Sequence, residues 1–337
     1  MFASVLMGMK PLQMHPTPQS SDSPAPSIPL TLSLGYLGPE GSHSSQAAHY
    51  LLTWLAHQAA LTQKPDAPEN IYRLQERPTL ERLMADCEAG LLDWAVLPVE
   101  NILEGSVIEV ISQMGLQQKR LIPLLEFSVA IQHCLMLPPG GRLDKVTTVL
   151  SHPQAIGQCR QRLVTHLGAN VTWEWTKSTA DAARRLSQAT PDENLAAIGS
   201  QAAARAFGLT IALADISDHP DNQTRFWLVR GANTHGKVHD FLRTLTENHP
   251  KKTSLCLAMR DRSGVLADVL THFKNAAINL TKIESRPSRQ NLGQYHFHLD
   301  AEGDLSEASS LPLLDLLAQD TVYLYQLGVY PVVGRLG

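Results

Sequence analysis

The sequence has few cysteines, little net charge and no long apolar run, and each shortage excludes a class of protein. The four cysteines (Cys87, Cys134, Cys159 and Cys256) lie far apart and form no CxxC or Cys/His ligand spacing. The chain therefore offers neither a zinc site nor a disulfide framework. We expect buried thiols in a reducing cytoplasm instead. The formal net charge of −4 gives no reason to expect nucleic acid or an anionic membrane as a partner.

No apolar run reaches the length that a bilayer requires. Residues 1–30 are rich in proline and serine and contain one Lys and no Arg. They lack the apolar core and small-residue cleavage site of a secretory signal, and they have little of the character of a transit peptide. We predict a disordered tail over 1–30. The remaining chain is long enough for two or three domains.

From Leu32 to Phe207 the pattern is strand, turn, helix, repeated. Alternation of this kind is typical of an α/β fold with a largely parallel, helix-covered sheet. Leu121–Leu137 is predicted to be extended with a break. The predicted strands are Leu32–Leu37, Trp94–Leu97, Val146–Leu150, Val171–Trp175 and Leu195–Ile198. The predicted helices are Ser44–Ala59, Leu80–Glu88, Pro153–Leu167, Thr179–Gln188 and Gln201–Phe207, with a further helix starting at Ser106.

Several strand-to-helix junctions carry capping residues. Ser106 precedes Glu109, Ser151 precedes Gln154 and Ser178 precedes Asp181, each by three positions, as in the capping box or its acidic variant. Gly41-Ser42 and Gly199-Ser200 make two further turns. Helix N-termini gathered at one sheet edge would suit a small anion; the alternative is that these are ordinary caps.

Glycines at 35, 38 and 41 invite a dinucleotide interpretation, which we reject. The spacing is not G-x-G-x-x-G, and Pro39 removes an amide from the region that would hold phosphate. We therefore expect no nucleotide cofactor, and a tight turn instead.

A polar run ending at Gln223 passes through Thr224 and Arg225 into the apolar strand Phe226–Val229. Open α/β folds hold ligands at such strand ends. Arg pairs with carboxylates in a two-pronged geometry, and a Thr hydroxyl donates a hydrogen bond. Taken alone, this pair is weak evidence for a site.

Beyond the polar segment 231–250 the pattern changes. Strands are predicted at Thr253–Met259, Ile278–Ser285, Tyr295–Leu299 and Val322–Val329, with helices after Gly264 and at Leu311–Leu317. The order βαββαβ is that of a ferredoxin-like unit, whose edge strands could pair with a second copy.

Eight short motifs, taken together and in this order, resemble monofunctional bacterial prephenate dehydratases. Six lie before residue 230: YLGPEGS at 36–42, LPVEN at 97–101, GSV at 105–107, SHPQA at 151–155, AIGS at 197–200 and NQTRF at 222–226. Two lie beyond it: GVL at 264–266 and IESRP at 283–287. The resemblance implies a two-lobed catalytic domain of periplasmic-binding-protein type II fold, followed by an ACT regulatory domain.

On this basis we assign the catalytic domain to 31–232, a linker to 233–252 and the ACT domain to 253–337. Lobe one is predicted as 31–110 plus 211–232, and lobe two as 111–210. A homodimer or homotetramer is expected, with no metal and no cofactor.

The resemblance also implies the reaction and its residues. Prephenate would lose CO₂ and its ring hydroxyl to give phenylpyruvate, with Thr224 easing the departure of the oxygen. Arg225 is predicted either to clamp a substrate carboxylate or to brace the motif. The other implied substrate-binding residues are Ser42, Asn101, Ser106, Ser151, Gln154, Ser178 and Phe226. The residues implied to bind the effector phenylalanine are Gly264, Val265, Leu266, Asn279, Leu280, Glu284, Ser285 and Arg286.

Three other polar residues of the motifs receive structural roles. Carboxylates repel a dianion, so Glu40 and Glu100 are expected to form structural hydrogen bonds, and His152 is expected to stabilise a turn.

The sequence departs from the family at three positions: His43 is usually aromatic, Ile102 is usually Ser, and Val265 is usually a small residue. Two alternatives stay open: an arogenate dehydratase, whose substrate has an amino group in place of the keto group, and a ligand sensor without turnover.

Overall fold

A computed structural model describes residues 31–61, 71–115, 120–232, 237–287 and 295–337. The predicted tail over 1–30 lies outside the described residues. Within them, no helix is long and apolar enough to cross a membrane.

Residues 31–130 form most of the first lobe. The run Trp94–Val99 is fully buried, as expected for a strand covered on both faces. Thr79 caps the helix at Leu80 by accepting the Arg82 N–H at 3.1 Å. The elements are β1 (Thr31–Leu37), α1 (His43–Leu61), β2 (Ile71–Arg77), α2 (Leu80–Glu88), β3 (Trp94–Asn101), β4 (Gly105–Ser106), α3 (Ile108–Gly115) and β5 (Leu121–Ala130).

The second lobe occupies residues 134–213 and alternates strands with helices, as predicted. Its elements are β6 (Cys134–Leu137), β7 (Thr148–Ser151), α4 (Pro153–Leu167), β8 (Thr172–Trp175), α5 (Thr179–Leu186), β9 (Leu195–Gly199), α6 (Gln201–Ala206) and β10 (Thr210–Leu213). These strands form one sheet in the order β10-β6-β9-β7-β8.

The chain then returns to the first lobe and continues into a C-terminal unit, β12 to β15. The remaining elements are β11 (Gln223–Gly231), α7 (Lys237–Thr246), β12 (Lys251–Met259), α8 (Val265–Asn275), β13 (Leu280–Pro287), β14 (Tyr295–Glu302), α9 (Leu311–Asp320) and β15 (Thr321–Leu336). The C-terminal unit has the predicted order βαββαβ.

One large sheet runs through both the first lobe and the C-terminal unit, in the order β13-β14-β12-β15-β5-β11-β3-β1-β2. β15 joins the two parts because its first half pairs with β12 and its end pairs with β5. A core cluster spans the same boundary: Trp227 of β11 packs with Cys256 and Tyr330 of the C-terminal unit. The first lobe and the C-terminal unit therefore share one buried apolar cluster.

The chain crosses between the lobes twice, at 131–133 and at 214–222. The predicted lobe bounds need correction here, because β5 lies in the first sheet and β10 lies in the second. The break foreseen within Leu121–Leu137 is the first crossing. The two crossings contact each other, since the Ile131 N–H donates to the Asn222 carbonyl at 2.8 Å.

The predicted linker over 233–252 also needs correction. It contains helix α7, whose Leu242 and Leu245 are buried in the core of the first lobe. Residues 233–236 lie outside the described residues. The segment therefore packs on the first lobe through this helix before β12 begins.

Candidate active site

A cleft of about 390 Å³ lies between the two lobes. Its size is that of a small-molecule site. The polar and charged residues that line it come from both lobes and from both crossings: Ser42, His43, Ser44, Asn101, Glu104, Ser106, His133, His152, Gln154, Gln158, Lys177, Ser178, Thr179, Asn222 and Thr224. Of the predicted substrate residues, the structure thus brings together Ser42, Asn101, Ser106, Gln154, Ser178, Thr224 and Phe226.

Thr224 lies at the start of β11, paired with Asn101 on one side and Val129 on the other. Successive strand residues face opposite sides of a sheet. Thr224 and Phe226 accordingly line the cleft, whereas Arg225 points to the other face. With 9% of its surface exposed, Thr224 is nearly shielded from bulk water.

The amide of Asn101 determines how the Thr224 hydroxyl is used. Its Nδ2 donates to Thr224 Oγ1 at 2.9 Å and to Asn222 Oδ1 at 2.9 Å. Its Oδ1 accepts the N–H groups of Leu103 and Glu104 at 3.0 and 3.2 Å, which fixes the orientation of the amide. The Thr224 oxygen is therefore an acceptor toward Asn101. None of the described residues accepts the proton of Thr224, so this proton can be donated into the cleft.

The network continues from Asn222 into the second lobe. Asn222 Nδ2 donates to Gln158 Oε1 at 3.2 Å, and Gln158 Nε2 donates to Glu104 Oε1 at 3.0 Å. Glu104 belongs to the first lobe and Gln158 to α4, so this chain of amides links the lobes. It also gives the Glu104 carboxylate a donor inside the cleft.

Three helices begin at the cleft: α1, α4 and α5. Ser42 and Ser178 accept N–H groups from the first turns of α1 and α5, at 3.2 and 3.0 Å. His152 caps α4, accepting the Gln154 N–H at 3.4 Å, which confirms its predicted turn-stabilising role. The helix N-termini and the Lys177 ammonium, which also lines the cleft, favour an anionic ligand.

Two predicted caps are wrong. Ser106 lies in β4, paired with Glu100 of β3, and its side chain contacts Lys282 and Glu284 rather than the start of α3. Ser151 is fully buried and donates to the Ile198 carbonyl at 3.0 Å, joining β7 to β9. Ser151 does not line the cleft.

Arg225 also lies outside the cleft. Its Nη1 donates to Glu126 at 2.8 Å and to Asp300 at 2.7 Å, and its Nη2 lies 3.1 Å from Glu100. Of the two predicted roles for Arg225, the structure supports the brace. Burial alone would lower the pKa of the guanidinium, but Asp300 and Glu126 outweigh it and raise that pKa.

These contacts belong to an interdomain ion cluster between the first lobe and the C-terminal unit. Lys252 pairs with Glu126 at 2.7 Å, and Lys282 pairs with Glu100 at 3.0 Å, as expected of a structural carboxylate at position 100. The cluster comprises four cations and four anions: Arg225, Lys252, Lys282, Arg286, Glu100, Glu126, Glu284 and Asp300. Its charges balance.

The predicted effector residues fall on two faces of the C-terminal unit. Along β13, Lys282, Glu284 and Arg286 are half-buried and join the ion cluster. Ser285 lies exposed on the other face of β13, and Leu266 of α8 is also exposed. Gly264 caps α8 in the left-handed conformation, followed by Val265, while Asn279 and Leu280 lead into β13.

Sequence reasoning missed several polar residues of the cleft, including Glu104, His133, Gln158 and Lys177. It included Asn222 in the NQTRF motif but did not predict it as a site residue. One signal was available, because Gln158 lies four residues after Gln154 and so on the same face of α4. The others follow from the crossing of the lobes, which no local pattern gives.

Comparison with known proteins identifies the family of this chain. The family model for prephenate dehydratase matches residues 34–234. The prephenate dehydratase of Methanocaldococcus jannaschii is 34% identical over 300 residues, covering 88% of this chain and 97% of that protein. This chain belongs to the prephenate dehydratase family.

Two further comparisons extend the family match to the C-terminal unit. The crystal structure of a prephenate dehydratase from Arthrobacter aurescens in complex with L-Phe is similar with a TM-score of 0.69 and 29% identity, covering 89% of this chain and 90% of that one. Arogenate dehydratase 1 of Petunia hybrida is 31% identical over 332 residues, covering 92% of this chain and 69% of that protein. Prephenate dehydratases and arogenate dehydratases are thus both among its relatives.

Proposed function

We propose that this chain is a prephenate dehydratase, a carbon–oxygen lyase that converts prephenate to phenylpyruvate with loss of CO₂ and water. One observation carries the proposal. Thr224 lies in the cleft with its oxygen engaged by Asn101 and its proton free to be donated. Such a donor is what a departing hydroxyl needs.

The proposed mechanism asks little covalent chemistry of the protein. As the ring carboxylate leaves as CO₂, its bonding electrons enter the ring, and the carbon–oxygen bond to the ring hydroxyl breaks. The departing oxygen carries developing negative charge and becomes water by taking a proton that comes from solvent, either directly or relayed through the Thr224 hydroxyl. Thr224 donates a hydrogen bond to that oxygen in a site shielded from bulk water.

The remaining groups of the cleft hold the dianion. Lys177 and the N–H groups at the starts of α1, α4 and α5 attract its carboxylates. The Glu104 carboxylate would repel them, but it accepts a hydrogen bond from the Gln158 amide, which partly offsets its charge. Orientation of the substrate then supplies much of the rate enhancement.

The proposal is tested by mixing the purified protein with prephenate and following phenylpyruvate absorbance in alkali. Enzymatic formation of phenylpyruvate is the expected result. Tight binding of prephenate with no phenylpyruvate would instead indicate a ligand sensor of the same fold.

Asn101→Asp is expected to lower kcat at least about tenfold. The second carboxylate oxygen would face Thr224 Oγ1 and accept its proton, so the hydroxyl could no longer donate to the substrate. The other oxygen still accepts the N–H groups of Leu103 and Glu104. Steady-state kinetics together with a thermal unfolding curve checks this: an unchanged kcat in a folded variant would contradict the role given to Asn101.

We also propose that the C-terminal unit is an ACT domain, and that phenylalanine binds to it and inhibits the enzyme. The relative from Arthrobacter aurescens was crystallised with L-Phe. The interdomain ion cluster gives a physical route for the signal. Lys282 and Glu284 of β13 contact Ser106, which also lines the cleft.

Lys282→Met is expected to weaken inhibition by phenylalanine about tenfold or more, the usual size of an allosteric coupling, while phenylalanine still binds. It removes the ammonium that joins β13 to Glu100 and Ser106, while Glu100 keeps Arg225 and Glu284 keeps Arg286. Inhibition curves and calorimetric titration with phenylalanine measure the two effects separately.

Lys251→Met is the matched control. Lys251 forms an ion pair with Asp304 at 2.9 Å within the C-terminal unit, and it does not line the cleft. Its inhibition curve should equal that of the parent. An equal curve for Lys282→Met as well would contradict the proposed route.

We also propose that the protein forms a homodimer or homotetramer in the cytoplasm. The exposed edge at β13 and α8, with Leu266 and Ile283, offers a surface for pairing with a second copy. The four cysteines are free and buried, which suits the reducing cytoplasm.

A further inference from the structure

The cleft has a single lysine and no arginine among the described residues that line it. The lysine is Lys177. Arg225, the cation that the sequence suggested as a carboxylate clamp, points to the opposite face of its sheet. Prephenate carries two carboxylates with different fates, since one leaves as CO₂ and the other stays in the product. The position of the Lys177 ammonium therefore bears on which carboxylate the site holds with a full charge.

The backbone around Lys177 is fixed. The Thr176 N–H donates to the Ser151 carbonyl at 2.9 Å, and Thr176 Oγ1 donates to the Ser178 carbonyl at 2.8 Å. Ser178 then caps α5 by accepting the Asp181 N–H at 3.0 Å. Lys177 thus extends from a well-anchored turn, beside the partial positive charge at the start of α5.

The acids nearest to Lys177 in the chain pair with other cations. Asp181 forms an ion pair with Arg184 at 2.6 Å, and Glu174 forms one with Arg185. No acid among the described residues forms an ion pair with Lys177. Its side chain is exposed, so the ammonium is available to an anionic ligand of the cleft.

The two ends of the substrate fall on different lobes. In the proposed function the ring hydroxyl lies at Thr224, which belongs to the sheet of the first lobe. The ring carbon opposite the hydroxyl carries the ring carboxylate and also the side chain that ends in the second carboxylate. A ring that spans the cleft from Thr224 turns this carbon toward the second lobe, where Lys177 and Thr179 line the wall.

The charge of the ring carboxylate moves during the reaction, whereas that of the side-chain carboxylate does not. As CO₂ leaves, its bonding electrons pass into the ring, and negative charge develops on the departing hydroxyl. A cation at the ring carboxylate would stabilise the ground state more than the transition state and would slow the reaction. A cation at the side-chain carboxylate stabilises both states equally and raises the affinity alone.

We infer that Lys177 binds the side-chain carboxylate, which phenylpyruvate retains, and that the ring carboxylate has no lysine or arginine beside it. This rests on the proposed function. The described lining residues leave hydroxyls, amides and the N–H groups of helix starts for the ring carboxylate. A carboxylate held in this way leaves as CO₂ without the separation of an ion pair.

Lys177→Met is expected to raise KM for prephenate about tenfold, the effect of one hydrogen bond to a charged group, and to leave kcat within about twofold. Phenylpyruvate has the side-chain carboxylate and lacks the ring carboxylate, so it separates the two assignments. Its inhibition constant as a product inhibitor should rise by the same factor as KM. Calorimetric titration with phenylpyruvate measures that binding without turnover. Lys177→Arg, which keeps the charge, should retain most of the affinity.

Lys145→Met is the matched control, since Lys145 is an exposed lysine of the second lobe that does not line the cleft. Both constants should equal those of the parent. In Lys177→Met, a raised KM with unchanged phenylpyruvate binding, or a raised kcat, would overturn the inference, because the lysine would then hold the ring carboxylate. Unchanged KM and unchanged phenylpyruvate binding would overturn it too. A parent that forms no phenylpyruvate from prephenate would instead remove the proposed function, on which the inference rests.

Discussion

Thr224→Ala is expected to lower kcat for phenylpyruvate formation about 100-fold or more and to change KM little. The hydroxyl acts on the departing oxygen, whose charge develops only in the transition state. Ground-state binding depends on other groups, among them Lys177 and the helix N-termini. A loss in kcat without a matching rise in KM is the signature of such a donor.

The variant is expected to fold, because Asn101 Nδ2 keeps the Asn222 and Gln223 oxygens as acceptors when Thr224 Oγ1 is removed. Steady-state kinetics with prephenate measures the effect. Thr224→Ser is the matched control: it retains the hydroxyl and should stay within about tenfold of the parent. If Thr224→Ala stayed within about twofold, the hydroxyl would have no part in the reaction.

Arg225→Met is expected to destabilise the protein by about 3–5 kcal/mol, the usual effect of breaking a buried ion pair from one side. Asp300 is fully buried and Glu126 is 3% exposed. Burial raises the pKa of the Asp300 carboxyl, but His298 and Arg225 outweigh it and lower that pKa. Without the guanidinium, Asp300 would keep Ser254 as a donor. Burial lowers the pKa of the neighbouring His298, so no positively charged group among the described residues would remain beside Asp300.

Urea unfolding measures this loss. Arg142→Met is the control, since Arg142 forms an ion pair with Asp144 in which both side chains are mostly exposed, and its midpoint should not shift measurably. Asp300→Asn in the Arg225→Met background should recover part of the loss, because it removes the uncompensated charge. An unchanged midpoint for Arg225→Met would show that the ion cluster does not hold the C-terminal unit to the first lobe.

The order of strands and helices could be predicted from the sequence because it depends on local periodicity. Helices α2 and α4 begin and end at the predicted residues. The βαββαβ order beyond residue 250 was also predicted correctly. Helix α7 was missed, although Leu242 and Leu245, three residues apart, are the spacing of one helix face.

The roles of Ser106 and Ser151 could not be predicted, because their partners are remote in the chain. The spacing Ser106–Glu109 satisfies the capping pattern, yet Ser106 contacts Glu284, 178 positions away. Ser151 satisfies it too, yet it bonds across a strand pair to Ile198. Capping spacing is a local condition, and tertiary partners override it.

Arg225 shows the same limit more sharply. Alternation along a strand implies that Thr224 and Arg225 face opposite sides, so only one of them could enter the cleft. The sequence does not say which, since Glu126 and Asp300 lie 99 and 75 positions away. The lobe bounds failed for a related reason: β5 and β10 were assigned by chain order, whereas strand pairing decides the sheet.

The most direct test is a crystal structure of the Thr224→Ala variant with prephenate bound. We predict the substrate between the lobes, its ring hydroxyl within about 3 Å of the position that Thr224 Oγ1 occupies in the parent. A ring bound with its hydroxyl turned away from β11, or bound outside this cleft, would contradict the account.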